Sequence, residues 1–210
     1  MHLHQMEVDS THTDSGVSVN QLQIITNPDH RGVVVHDHNY QLPNDPEQWH
    51  LIVSQRRDLA RQSMSICLSE LTQNYGQQQS NDNLRCRLDL NWVAQEQFRH
   101  ICHNSYYDLL RTQVTWEAVS QLYMEDFFEN PQHLTEQLGG STVLAWNDPR
   151  LTLPGPNLKT TIVNYDECVE HCASVEQLQT QQSHSIARVW FAEYAQHIVN
   201  SKNPTPDLLA

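Results

Sequence analysis

The segments RHICH (99–103) and ECVEHC (167–172) concentrate imidazole and thiol groups, the side chains that hold zinc and that carry nucleophilic chemistry. On helices, His100 and His103 stand three apart and Cys168 and Cys172 four apart, so each pair can face one side. Together they would supply a Cys2His2 set for a zinc ion, the one cofactor the sequence suggests. The spacing is not that of a zinc finger: there is no C-x-x-C knuckle, and His171 competes as a ligand.

A catalytic thiol needs a histidine within reach and a third group to orient that histidine. Cys102 and His103 are adjacent, and neighbouring helical side chains diverge by about 100°. Cys86 is the better candidate nucleophile, because Arg85 and Arg87 flank it in LRCRLDLNW and would lower its pKa. His36 and His38 share one face of a strand and read as exposed hairpin residues. Glu96 with His100 and Glu193 with His197 are four apart, whereas helical di-iron sites use a spacing of three, so both read as surface pairs. Glycine-rich phosphate loops, G-x-S-x-G and H-E-x-x-H are all lacking.

With no complete constellation, the leading expectation is a soluble, non-enzymatic module that binds another protein. The alternative is a Cys/His-dependent hydrolase or transferase, or a zinc-containing protein. Rings in YMEDFFEN (Tyr123, Phe127, Phe128) and in RVWFAEYAQH (Trp190) are the expected partner anchors.

Composition narrows the partner. The 210 residues carry a net charge of -13 with no basic stripe, which argues against nucleic acid. No run of about 18 apolar residues suggests membrane insertion, and the start has no secretory leader pattern, so a cytoplasmic protein is expected. Five cysteines at irregular spacing fit reduced thiols rather than a disulfide framework. Of twelve basic residues only Lys159 and Lys202 are lysine. A GC-rich genome would favour arginine but also glycine, and six glycines is few. Loss of ubiquitin acceptors is the functional reading, and it points to a host-directed bacterial effector or a viral accessory factor.

The elements that must position these groups are read from periodicity as an α+β fold: one mainly helical domain over 21–200, between a flexible arm (1–20) and a loose tail (201–210). About four principal helices and a small antiparallel sheet or hairpins are expected. The helices fall at 45–76 (opened by Asp45 and Pro46), 89–111, 115–130 and 174–200, with short ones after Pro131 and through 166–172. The strands fall in a hairpin over 20–42 and in STVLAW, RLTL and KTTIVNY. In the last helix Val175, Leu178, Ile186, Val189, Trp190 and Tyr194 are expected to face inward.

Overall fold

A computed structural model describes residues 42–72, 85–129 and 157–202; the side chains of 127–129 and 201–202 are not among the described features. The expected arm, hairpin, Pro131 helix and the STVLAW and RLTL strands lie outside these residues. Three long or medium helices dominate: α1 (Leu59–Thr72), α2 (Leu90–Gln113) and α5 (Tyr165–Lys202), with two short ones, α3 (Met124–Glu129) and α4 (Leu158–Thr161). Strands β1 (His50–Gln55) and β2 (Ala118–Tyr123) pair in register from His50 opposite Ala118 to Gln55 opposite Tyr123.

The sheet is parallel, which corrects the antiparallel expectation. α1 and α2 lie between the two strands in sequence, and a crossover of that length is what a parallel pair requires. The expected single helix from Asp45 is a 3-10 turn (Pro46–Gln48), then β1, then α1. Leu51, Val53 and Gln55 turn inward while His50, Ile52 and Ser54 are exposed, an alternation only a strand produces. Asp45 accepts a hydrogen bond from Trp49 Nε1 at 3.1 Å rather than capping a helix through its side chain. The expected helix over 115–130 is β2 followed by α3, and KTTIVNY is not a strand: it gives α4 and one bridge residue, Ile162, paired with Cys86.

α2 begins where expected, at Asp89, whose carboxylate accepts the Trp92 N–H at 2.9 Å. α5 is one continuous helix in place of two, about 57 Å long at 1.5 Å per residue. α2 and α5 form the largest helix–helix contact and run parallel: Gln97 meets Cys172 and Gln179, Ser105 meets Ser183, and Tyr106 meets Trp190.

Among the described residues two apolar clusters fill the interior. The first joins Met64, Cys67 and Leu68 of α1 to Val93 of α2 and to Cys168 and Cys172 of α5, sealed by Leu88, Leu158 and Ile162. The second gathers Tyr106, Leu110 and Trp116 against Ala187 and Tyr194, with Trp49, Leu51, Trp190 and Phe191 around them. Buried polar groups fix how the helices meet. The Asn164 amide bonds both backbone groups of Leu88, accepting from N at 3.0 Å and donating to O at 2.9 Å. Gln97 Nε2 donates to Cys172 O at 3.2 Å and to Gln179 Oε1 at 3.3 Å, and Gln179 Nε2 donates to Ala94 O at 2.8 Å. Each bond satisfies a group that would otherwise be stranded away from water, and a shifted helix pairing would break them all.

Candidate functional site

α2 passes beside the second Cys/His segment, since Gln97, two residues before the first segment, touches the backbone of Cys172. Their chemistry does not converge. Cys168 and Cys172 turn toward Met64 and Cys67 in the first cluster, whereas the His103 ring lies 5.5 Å from the Trp190 ring and 6.1 Å from Tyr107. Trp190 stands eighteen residues beyond Cys172 on the same helix, about 27 Å along its axis. Among the described residues, which include His100, His103, Cys168 and Cys172, no three His, Cys, Asp or Glu side chains are grouped to hold a metal.

Four of the five thiols are buried and Cys86 is half-buried, and burial raises the pKa of each. Burial, helped by Glu96, Glu70 and Cys168, pushes the Cys67 thiol up to about 12. Burial, Cys168, Glu176 and Asp58 push Cys172 up to about 11. Cys86, the expected nucleophile, is also raised by burial. Its neighbours do not offset this: in an extended segment adjacent side chains point to opposite faces, and Arg87 pairs outward with Glu167 at 2.5 Å. The Cys86 backbone is held on both sides: its N–H donates to Thr161 O at 3.0 Å and its carbonyl accepts from Val163 N at 2.8 Å.

His100 is half-buried, and its buried Nε2 has no hydrogen-bond partner. Burial first, then the positive neighbours Arg99, His103 and Arg56, lower its pKa to about 4, so the ring is neutral at physiological pH. Glu96 lies 3.0 Å from Arg99, and its carboxyl is raised by burial, against the pull of Arg99 and with the push of Glu70.

A small cleft of about 250 Å³ lies between the turn that leads from β1 into α1 and the start of α3, lined by Arg56, Asp58, Arg61, Met124 and Glu125. Both of its acids are engaged internally. Asp58 caps α1 by accepting the Arg61 N–H at 2.9 Å, and Glu125 accepts the Arg57 N–H at 3.2 and 3.3 Å. Burial alone would raise the Glu125 carboxyl; backbone donors from Glu125 itself, Arg57 and Asp58, with the Arg56 charge, bring it below its ordinary value. Next to it, Arg57 forks onto Asp126 at 2.5 and 2.7 Å and stacks 4.2 Å over the Tyr123 ring.

Of the expected partner anchors, Tyr123 is thus half-buried under Arg57 and accepts from Gln121 Nε2 at 2.9 Å. Trp190 packs into the second cluster, edge-on to Tyr106 at 6.1 Å. The backbone of Phe127 and Phe128 belongs to α3, and their side chains lie outside the described features. Other apolar groups face solvent on α5: Leu178 is 58% exposed, Val189 58% and Val199 54%, with Val169 near the start of the helix at 37%. Leu178 and Val189 were expected inside. Small residues, Ser183 and Ala187, take the inner positions and let α2 come close. Leu178, Val189 and Val199, eleven and ten residues apart, return to one face of the helix expected over 174–200, but hydrophobicity alone turns that face inward, because the sequence does not show that Ser183 and Ala187 are the residues that meet α2.

No helix among the described residues is long and apolar enough to cross a membrane. No protein-family model, curated protein or solved structure matches this chain.

Proposed function

We propose that this chain is a non-enzymatic protein–protein interaction module whose recognition element is the outward face of α5. One observation carries the reading: a 38-residue helix keeps Leu178, Val189 and Val199 more than half exposed on the side away from α2. Aliphatic groups so placed gain free energy only when another surface covers them. The raised thiol pKa values weigh against the rival Cys/His hydrolase or transferase, because the thiolate is the nucleophile. Two lysines against ten arginines support work in a eukaryotic cytosol, as a host-directed bacterial effector or viral accessory factor.

The test is site-specific photocrosslinking of the full chain in a eukaryotic cytosol. Benzoylphenylalanine at Ser185, on the outward face, is expected to give a discrete polypeptide adduct, and the same group at Gln95, exposed on α2, is expected to give none. Equal labelling from both positions, or none from either, would refute the reading. Elemental analysis of the purified protein tests the zinc alternative: one equivalent of bound zinc would restore it.

A further inference from the structure

The outward face of α5 has more order than exposure alone requires. Leu178, Val189, Ala192 and Val199 are all exposed, and they fall on one seam with Gln182, Ser185 and Gln196, separated alternately by four and three residues. That is the seven-residue repeat by which helices pair side by side, and no charged residue interrupts it between 178 and 199. The opposite face of the same helix is already committed to α2, so the seam is a second, independent packing surface.

We propose that the occupant of this seam is a second copy of this chain, with the two α5 helices parallel and in register; this rests on the reading of the outward face as the recognition element. Charge complementarity selects the occupant and the direction. Arg188 and Glu193 are exposed, lie five residues apart, border the seam on opposite flanks, and neither forms an ion pair with a described residue. In a parallel pair the residue before one core position reaches the residue five further along on the other strand. Arg188 of each copy therefore meets Glu193 of the other, and the two-fold axis makes the contact twice. An antiparallel pairing would set like against like on each flank. Gln182 and Gln196 sit at equivalent core positions of the repeat, where amides facing each other across the axis fix register at some cost in affinity.

Sedimentation equilibrium of the full chain at neutral pH tests this. The wild type is expected to be a dimer at micromolar concentration, and Val189→Asp a monomer whose thermal unfolding matches that of wild type diluted until it is monomeric. Arg188→Glu and Glu193→Arg should each weaken association by roughly tenfold or more, and the double exchange should restore most of it, because it rebuilds the pair with the charges swapped. A wild type that stays monomeric at high micromolar concentration overturns the dimer; the interaction reading then still stands or falls on the Ser185 crosslink. A dimer insensitive to Val189→Asp, or a double exchange no better than the single ones, also overturns it. If Val189→Asp unfolds the protein, Val189 is not outward and the inference fails.

Discussion

Lowering the pH should destabilise this protein through one ring. His100 is neutral in the fold because burial and the charges of Arg99, His103 and Arg56 lower its pKa from 6.5 to about 4. In the unfolded chain the ring protonates near 6.5, so between these values the unfolded state holds one more proton, and stability falls as pH falls. The span of about 2.5 units, at 1.36 kcal/mol per unit, sets a ceiling of about 3 kcal/mol, and residual water around the ring reduces it to about 2. Other groups titrate nearby with opposite signs. Glu96, raised, adds stability as pH drops through its folded value, and Glu125, lowered, removes it. Comparison with His100→Leu cancels both. Urea unfolding between pH 7 and pH 4.5 should show wild-type stability falling more steeply than that of the variant, by about 2 kcal/mol over the range. Parallel pH profiles would refute a His100 ring held neutral by the fold.

Asn164→Ala should cost about 2 to 4 kcal/mol in urea or thermal unfolding, because it strands both the N–H and the carbonyl of buried Leu88. Cys67 and Cys172 should resist thiol labelling at pH 8 on the native protein and react at a rate set by opening of the first cluster; fast labelling of either would contradict the packing. Gln97→Leu should destabilise by about 1 to 3 kcal/mol, by leaving the Cys172 carbonyl and Gln179 without their shared donor.

Local chemistry made α2 legible in the sequence: Asp89 is a capping residue, and Ala94 and Ile101 mark its buried face. The same face also buries Gln97, which a hydrophobicity count places outside, because its partners Cys172 and Gln179 are some eighty residues away. Ser174, a residue that favours helix starts, predicts a break that α5 does not have. Within the continuous helix its hydroxyl donates back to His171 O at 2.6 Å, an internal bond that removes the need for a cap. β1 was concealed by Pro46, whose helix-starting preference is spent on a single 3-10 turn. Strand direction was not legible, since parallel and antiparallel strands share the same two-residue alternation, and only the α1–α2 crossover decides between them. The thiols and imidazoles drew attention by type, yet their fate was set by which helix face each occupies.

The two faces of α5 are the centre of this account, and thermal unfolding of two aspartate variants separates them most directly. Ala187 is fully buried against the second cluster and Val189, two residues on, is 58% exposed. Ala187→Asp should abolish or severely lower the unfolding transition, by burying an unpaired charge, while Val189→Asp leaves it within a degree or two of the wild type at concentrations where the protein is monomeric. Equal losses in the two variants, or the larger loss at Val189, would contradict the orientation of α5 and every functional reading built on its outward seam.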